Sequence, residues 1–213
     1  MIANLCERIR GADVNVVAKG MGLDKRVNPF FLKAGLGWGG SCFPKDLRAL
    51  SKFAESTGIM LPHVEAAIEV NDSQPLKGVQ LAEEKLGKLQ GKRVALLGLS
   101  FKPGTSDMRG APSIRMVEEL LKRGADVVAY DPVAIDETKR IFNRLRMSRS
   151  ALECIQDADC CIIVTEWDEF AKLSPNDFRS KMRNPVVIDG RRILDSSGFS
   201  RKLTYAAIGL GPT

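Results

Sequence analysis

The sequence is poor in the residues that build metal centres and disulfide frameworks. It contains one histidine, His63, and five cysteines, none of them in a Cys-x-x-Cys pair. Such a set does not supply the ligands of a tetrahedral zinc site, and its odd number and irregular spacing do not form a disulfide framework. We therefore expect no bound metal, and reduced thiols in a cytoplasmic protein.

Long apolar runs are also lacking. No stretch approaches the roughly 18 apolar residues that span a bilayer. Residues 1–7 have neither the basic start nor the apolar core of a signal peptide. With 44% hydrophobic residues, the chain is expected to form a globular core without a membrane partner.

Aromatic residues make up only 6% of the chain, although its net charge is +6. Nucleic-acid-binding surfaces combine clustered cations with aromatic rings that stack on bases, whereas here Lys and Arg are spread along the sequence. The basic balance therefore favours an anionic small molecule over nucleic acid. The cations of interest lie near glycines and loops: Arg26, Lys33, Lys45, Lys102, Arg109, Arg191 and Arg192.

Residues 1–90 carry helical patterns. Apolar spacing predicts helices over residues 1–10 and 13–19, the second stopped by Gly20 and Gly22. Pro44 occupies a first helical turn, and the helix is predicted over 46–57. A long helix is predicted from Pro62 to Leu86, with Pro75 as the place of any kink, and it serves either as a spine between domains or as an oligomer interface.

Residues 91–213 alternate between strand and helix patterns. Short apolar runs predict buried parallel strands at 93–98, 126–131, 160–165 and 185–189. This alternation predicts an α/β, doubly wound sheet domain, in which ligands lie beyond the carboxyl ends of the strands. The side chains at those ends, including Trp167 and Arg191, are better explained by a binding site than by packing.

The first strand is not followed by a dinucleotide fingerprint. A Gly-x-Gly-x-x-Gly turn should lead directly into a helix, with an acidic residue after the second strand. Asp131 meets the second requirement, but Gly98 is followed by a long charged loop and the helix begins only near Pro112. Lys102 and Arg109 in this loop are suited to bind a diphosphate through their side chains. The alternative is a solvated surface loop with ordinary charges.

The segment from Gly35 to Asp46 places a cysteine, Cys42, in a glycine-rich frame. Glycines allow the backbone to approach a ligand closely, and the lysine at 45 is a cationic neighbour that favours the nucleophilic thiolate. Asp46 is positioned to act as a base or to orient water. The alternative is a buried structural cysteine that precedes a helix start at Pro44.

Five separated motifs together resemble the UDP-glucose/GDP-mannose dehydrogenase family, and within it the members that act on UDP-glucose. They are Gly-Gly-Ser-Cys-Phe-Pro-Lys-Asp at 39–46, Leu-Gly-Leu-Ser-Phe-Lys-Pro at 97–103, Tyr-Asp-Pro at 130–132, Val-Thr-Glu-Trp at 164–167 and Asp-Gly-Arg at 189–191. The resemblance implies a central helical dimerisation domain over 1–90 and a Rossmann-like UDP-sugar-binding domain over 91–213.

The resemblance also implies an activity, the oxidation of a nucleotide sugar's primary alcohol to a carboxylate with two NAD in succession. Cys42 would form a thiohemiacetal and then a thioester, and Asp46 would help water to hydrolyse it. Lys45 and Arg109 match residues facing the NAD pyrophosphate and the domain junction. Arg26 matches a substrate contact across a dimer interface. The other matched substrate contacts are Phe31, Leu32, Lys33, Trp38, Gly39, Phe101, Lys102 and Arg191.

No counterpart of the family's N-terminal NAD-binding domain is found in the sequence, and its catalytic lysine and asparagine also have no match. We therefore expect this chain alone to bind sugar nucleotide and to dimerise without dehydrogenase activity, with a separate NAD-binding polypeptide as a possible partner. A sugar-nucleotide-binding module without catalysis stays open, as does a GDP-mannose or UDP-N-acetylhexosamine substrate. Phe31 and Leu32 could also be core residues, and Arg192 is interpreted as a surface charge. Cys6, Cys154, Cys160 and Cys161 are interpreted as buried packing thiols.

Overall fold

A computed structural model describes residues 1–212 as a helical part followed by an α/β sheet part. The helices are α1 (Ile2–Cys6), α2 (Val14–Gly22), α3 (Phe43–Ser56), α4 (Pro62–Leu86), α5 (Pro112–Lys122), α6 (Ile135–Ile141), α7 (Ala151–Cys154), α8 (Asp168–Ala171), α9 (Pro175–Lys181) and α10 (Ser196–Ser200), with a 3₁₀ turn at Pro29–Phe31. The strands are β1 (Arg93–Leu97), β2 (Asp126–Tyr130), β3 (Arg146–Met147), β4 (Cys160–Ile163), β5 (Val186–Asp189) and β6 (Thr204–Ala207).

The first helices differ in length from the sequence prediction. Helix α1 ends at Cys6, so the predicted helix over residues 1–10 was too long. Helix α2 begins after Asp13, whose carboxylate accepts the Asn15 N–H as an N-cap, and it continues through Gly20 to Gly22. The prediction that these glycines stop the helix was wrong, because a glycine in a helix costs only about 1 kcal/mol relative to alanine.

Helix α4 is a single element of 25 residues with Pro75 inside it. It packs against α3 at one side and against α5, β4 and β5 at the other. Gly78 allows the close approach, because a Cβ there would lie 2.8 Å from Cε of Met116. Within this chain α4 therefore acts as the predicted spine that joins the helical and sheet parts.

The six strands form one sheet in the order β3-β2-β1-β4-β5-β6, and every pairing is parallel. This order reverses between β1 and β4, as in a doubly wound Rossmann-type sheet, so the predicted α/β fold class is confirmed. Apolar clusters cover both faces of the sheet. The edge strands β3 and β6 were not predicted, since β3 has two residues and β6 is only partly buried.

The last described residues return to the start of the chain. The Gly209 carbonyl accepts the Val14 N–H at 2.9 Å, and the Gly209 N–H donates to the Glu7 carboxylate at 2.9 Å. Lys77 of α4 pairs with the same carboxylate at 2.9 Å. These contacts fix α1 and α2 against the end of the sheet. Within residues 1–212, no helix is both long enough and apolar enough to cross a membrane.

Candidate active site

Cys42 is exposed at the N-terminus of helix α3, where it is the residue immediately before the first helical turn. The Ser41 hydroxyl lies beside it, with Oγ 3.7 Å from Sγ. The alternative of a buried structural cysteine is therefore wrong for Cys42, whereas the predicted helix start is present. The Cys42 thiol is therefore accessible from solvent at the start of α3.

The other four cysteines are buried, as predicted. Burial raises the pKa of the Cys154 thiol to about 12 and raises the pKa values of Cys160 and Cys161 as well. These thiols are inert near neutral pH, because the thiolate is the reactive form. Among the described residues, Cys42 is thus the one cysteine placed for chemistry.

Asp46 lies one helical turn after Cys42. Its backbone N–H donates to the Cys42 carbonyl at 2.8 Å, which closes the first turn of α3. Its carboxylate pairs with the Lys45 ammonium at 3.3 Å, and both side chains are largely exposed. Residues four apart share one helix face, so the Asp46 carboxylate and the Cys42 thiol are on the same side of α3.

The cysteine loop (residues 35–42) packs into the core of the sheet part. Leu36 is fully buried and packs between Gly78 of α4 and Gly190 after β5. The Gly37 carbonyl accepts Nη1 of Arg191 at 3.0 Å, and the Gly40 N–H donates to the Arg109 carbonyl at 2.7 Å. The loop that leads to Cys42 is therefore fixed to the sheet part at Gly37, by Arg191 after β5, and at Gly40, by the loop that follows β1.

Gly39 and Gly40 are buried against the loop that follows β1. A Cβ on Gly39 would lie 2.5 Å from the Gly110 carbonyl oxygen and 2.9 Å from Cβ of Phe101. Atoms of the Phe101 ring would lie about as close to a Cβ placed on Gly40. These glycines allow two backbones to approach, so the structure brings the predicted residues Gly39 and Phe101 into direct contact.

Lys102 and Arg109 flank Phe101 on the same loop. Nζ of Lys102 lies 5.3 Å from the centre of the Phe101 ring. The Arg109 guanidinium binds the Asp107 carboxylate through two nitrogens, at 3.0 and 2.7 Å. This pairing lowers the pKa of Asp107 and raises the pKa of Arg109, with a smaller contribution to the latter from the nearby Cys42. Arg109 is thus near the thiol as well as on the loop.

A cleft of about 700 Å³ lies between the helical part and the sheet edge. It is lined by four of the predicted substrate contacts, namely Leu32, Lys33, Trp38 and Arg191. Sequence reasoning missed several polar residues that also line it: Asn15, Lys19, Asn71, Gln74 and Glu166. Cys42, Phe101 and Lys102 lie outside this lining, so the predicted residues form two groups joined by the cysteine loop.

Arg191 is the side chain that links the two groups. Its Nε donates to the Val164 carbonyl at 2.7 Å and lies 3.3 Å from the Glu166 carboxylate. Burial lowers the pKa of Arg191, and the charge of Glu166 opposes that effect. The guanidinium is only 13% exposed, so its remaining N–H groups are held toward the cleft in one orientation.

Two predicted residues lie at the surface of the helical part. The Phe31 side chain is 94% exposed, so the alternative of a core role for Phe31 is wrong, while Leu32 is half-buried. Arg26 is exposed and binds Asp24 at 2.6 Å. Neither Phe31 nor Arg26 lines the cleft.

Arg192 is a correction to the sequence prediction. Its side chain is only 5% exposed and donates to Asp13 at 2.8 Å and to the Ile208 carbonyl at 3.1 Å. It therefore joins α2 to the end of β6 and is not a surface charge. Its backbone is left-handed, with φ of 57°, and Arg192 also lines the cleft.

Asp131 and Trp167 have structural roles at the strand ends. The buried Asp131 carboxylate accepts backbone N–H groups of Leu99, Ser100, Val133 and Ala134, and the Trp167 indole N–H at 3.2 Å. The indole thus helps to hold the strand-end loops, and the expectation that Trp167 serves a binding site stays a prediction. Because Asp131 is occupied by the protein, it is not available to the ribose of a dinucleotide, so this sheet does not fit NAD in the usual Rossmann manner.

Comparison with protein families agrees with this geometry. Residues 1–73 match the central domain of the UDP-glucose/GDP-mannose dehydrogenase family, and residues 95–196 match its UDP binding domain. UDP-glucose 6-dehydrogenase AglM of Haloferax volcanii is 46% identical over 193 residues, which is 91% of this chain and 44% of that protein.

Solved structures show the same similarity. A UDP-glucose dehydrogenase from Pyrobaculum islandicum superposes with a TM-score of 0.87 at 33% identity, over 98% of this chain and 47% of that one. An NDP-N-acetyl-D-galactosaminuronic acid dehydrogenase from Methanosarcina mazei gives 0.83 at 27% identity, over 98% and 47%. The chain thus spans less than half the length of these relatives.

Proposed function

The chain belongs to the UDP-glucose/GDP-mannose dehydrogenase family, and we propose that it supplies the sugar-nucleotide site and the nucleophile of an NAD-dependent UDP-glucose 6-dehydrogenase. The observation that carries this proposal is the cysteine loop. It has the exposed Cys42 at one end, and near its other end Arg191 and Trp38 line a cleft large enough for a ligand.

The charges around the cleft support an anionic ligand. Lys19, Lys33 and Arg191 line it, whereas Glu166 is the single acidic residue in the lining and is paired with Arg191. A diphosphate carries negative charge on several oxygens and is met well by lysine and arginine N–H groups. A nucleotide diphosphate sugar is therefore the proposed ligand, with Lys102 as a further cation beside the cysteine loop.

The resemblance to the family gives the chemistry proposed for Cys42 and Asp46, and their shared face of α3 is compatible with it. The Cys42 sulfur adds to the aldehyde carbon of the half-oxidised sugar, and the aldehyde oxygen takes a proton. Oxidation of this thiohemiacetal gives a thioester on Cys42. Water then adds to the acyl carbon, its proton passes to the Asp46 carboxylate, and the Cys42 thiolate leaves as the sugar carboxylate forms.

NAD, when it is bound, supplies the oxidation by accepting hydride from the sugar carbon. In this chain the residues that fit contact with its pyrophosphate are the exposed Lys45 and Arg109, beside the thiol. The described residues offer no glycine-rich dinucleotide turn, and Asp131 is occupied. We therefore propose that the 213 residues alone bind the sugar nucleotide without forming NADH.

Dimerisation through the helical part is also proposed. Within residues 1–212, all but four of the large exposed apolar side chains lie in the first 60 residues; the four are Leu121, Val133, Ile141 and Leu152. Exposed apolar surface of this kind is typical of interfaces. In such a dimer Arg26 would reach the partner's substrate. The four buried thiols agree with a reducing, cytoplasmic location.

Calorimetric titration of the purified chain with UDP-glucose, UDP-N-acetylglucosamine and GDP-mannose tests the proposed ligand. We expect the tightest binding for UDP-glucose, unchanged affinity in Cys42→Ala and at least tenfold weaker binding in Lys33→Ala, which removes a cleft cation. Lys88→Ala is the control, since Lys88 is exposed beyond the end of α4. Tighter binding of another sugar nucleotide would replace UDP-glucose as substrate, and no binding of any would contradict the proposal.

An activity assay separates catalysis from simple binding. The pure chain with UDP-glucose and NAD should form no NADH, whereas addition of an NAD-binding domain from a family member should restore NADH formation. Cys42→Ala should abolish the restored activity. If the chain binds UDP-glucose but Cys42→Ala leaves the restored activity unchanged, the role of the nucleophile is wrong.

A further inference from the structure

We propose that Asn71 of helix α4 is a positioning residue for Cys42, because its side chain holds the cysteine loop at Trp38. The role of Cys42 itself rests on the proposed function; the contact between Asn71 and the loop does not. Asn71 is half-buried and lines the cleft, and sequence reasoning gave it no role.

The Asn71 amide binds both backbone groups of Trp38. Its Oδ1 accepts the Trp38 N–H at 2.8 Å, and its Nδ2 donates to the Trp38 carbonyl at 3.2 Å. A side-chain amide is matched to this pairing, because it carries one acceptor and one donor in a fixed plane. The Asn71 side chain thus forms the two hydrogen bonds to the Trp38 backbone that a neighbouring strand would form in a sheet.

The adjacent glycine makes room for this contact. Gly37 has φ of 98°, and a Cβ there would lie 2.8 Å from Oδ1 of Asn71 and 3.3 Å from its carbonyl oxygen. A side chain at this position would therefore be strained and would also push Asn71 away. The left-handed backbone at Gly37 and its missing side chain therefore leave room for the Asn71 amide to bind the loop.

Pro75 lies one turn after Asn71 in α4 and has no N–H, so the Asn71 carbonyl lacks its usual partner four residues later. The carbonyl of the next residue, Asp72, accepts the Arg115 guanidinium of α5. Helix α4 therefore contacts α5 in the same turn from which the Asn71 side chain reaches the cysteine loop.

The position of Asn71 in the loop gives it an influence on Cys42. From residue 37 to residue 40 the backbone is held in turn by Arg191, Asn71, the packing of Gly39 and the Arg109 carbonyl. Beyond Gly40, the chain runs directly to Cys42 at the start of α3. Loss of the Asn71 contact releases the one residue of this run that is held from the helical part.

Hydrogen exchange of the full chain tests the contact without substrate. In Asn71→Ala, the Trp38 and Gly40 amides should exchange at least tenfold faster, while amides in the sheet strands keep their rates. Asn71→Asp retains an acceptor and should restore much of the protection at Trp38. Gln80→Ala is the matched control, since Gln80 is an exposed amide on the same helix. Unchanged exchange at both loop amides would overturn the proposal.

Shielding of Cys42 tests the consequence for the site. UDP-glucose at saturation should slow alkylation of Cys42 by iodoacetamide in the wild-type chain. In Asn71→Ala, with UDP-glucose raised until calorimetry shows the variant to be saturated, we expect at least a fivefold loss of this shielding. Wild-type shielding in the saturated variant would overturn positioning. If the wild-type chain fails to bind UDP-glucose, the proposed function fails, and the exchange rates alone decide whether Asn71 holds the loop.

Discussion

Nη1 of Arg191 donates to the carbonyl oxygen of Gly37 at 3.0 Å, across 154 residues of sequence. The same guanidinium also binds the Val164 carbonyl after β4. One side chain at the end of β5 therefore fixes the cysteine loop against the sheet edge and lines the cleft. The cleft lining and the cysteine loop are therefore connected through the Arg191 guanidinium.

Arg191→Lys should weaken UDP-glucose binding at least tenfold and destabilise the chain by about 1–3 kcal/mol, because an ammonium does not replace the fixed fork of guanidinium N–H groups and leaves buried carbonyls unpaired. Calorimetry and urea unfolding measure the two effects. Arg144→Lys, at an exposed position, should change neither. Equal affinity and stability in Arg191→Lys would show that the two carbonyl contacts are unimportant.

Thiol titration should distinguish Cys42 from the other cysteines. The native chain at pH 8 is expected to react with one equivalent of a disulfide reagent, and the denatured chain with five, because the four buried thiols are inaccessible and burial raises the pKa of Cys154 to about 12. Cys42→Ala should give no fast-reacting thiol, whereas Cys154→Ala should keep one. A second fast thiol in the native Cys154→Ala variant would contradict the buried positions.

Two glycine substitutions should have opposite effects. Gly39→Ala places a Cβ 2.5 Å from a backbone oxygen of Gly110, so the cysteine loop must move, and we expect a loss of about 1–3 kcal/mol of unfolding free energy. Gly20→Ala lies in helix α2 with nothing near its added Cβ and should stabilise by about 0.5–1 kcal/mol. Thermal unfolding of both variants measures the difference. Equal shifts in the two would mean that the close approach at Gly39 is absent.

Asp13 should make the stability of the chain depend on pH. Burial acts to raise the pKa of Asp13, but hydrogen bonds from Arg192 and the Asn15 N–H outweigh it and hold the pKa below its usual value. A carboxylate with a depressed native pKa stabilises the fold above the unfolded pKa of about 3.9, and this contribution is lost as pH falls through the lower native value.

Asp13→Asn keeps an N-cap side chain but removes the charge that pairs with the buried Arg192. We expect it to be less stable than wild type by about 1–2 kcal/mol at pH 7, with the difference shrinking as the pH falls below about 4. Urea unfolding at several pH values measures this, and Asp136→Asn on the exposed side of α6 is the control. A difference that stays constant from pH 7 to pH 2 would contradict the role of the Asp13 charge.

Strands and helices with a characteristic pattern in a short stretch of sequence could be predicted from the sequence alone. The strands at Arg93–Leu97 and Val186–Asp189 were predicted because a buried parallel strand is a continuous apolar run, and α3 was predicted because Pro44 marks a first turn. Cys42 was singled out by its glycines, and the five motifs identified the family. Residue-by-residue roles within the site remain predictions.

Contacts between side chains that are distant in sequence are set by the tertiary structure. Arg191 and Gly37, or Asn71 and Trp38, are far apart in sequence, and nothing in their spacing indicates contact. The neighbouring arginines at 191 and 192 carry the same charge and both line the cleft, yet Arg192 pairs with Asp13 whereas Arg191 binds the Gly37 carbonyl. In the sequence, Asp131 is in the place of an acidic residue that binds a ligand. In the folded chain its carboxylate binds backbone N–H groups of the loops instead, because hydrogen-bond partners are set by how strands and loops pack.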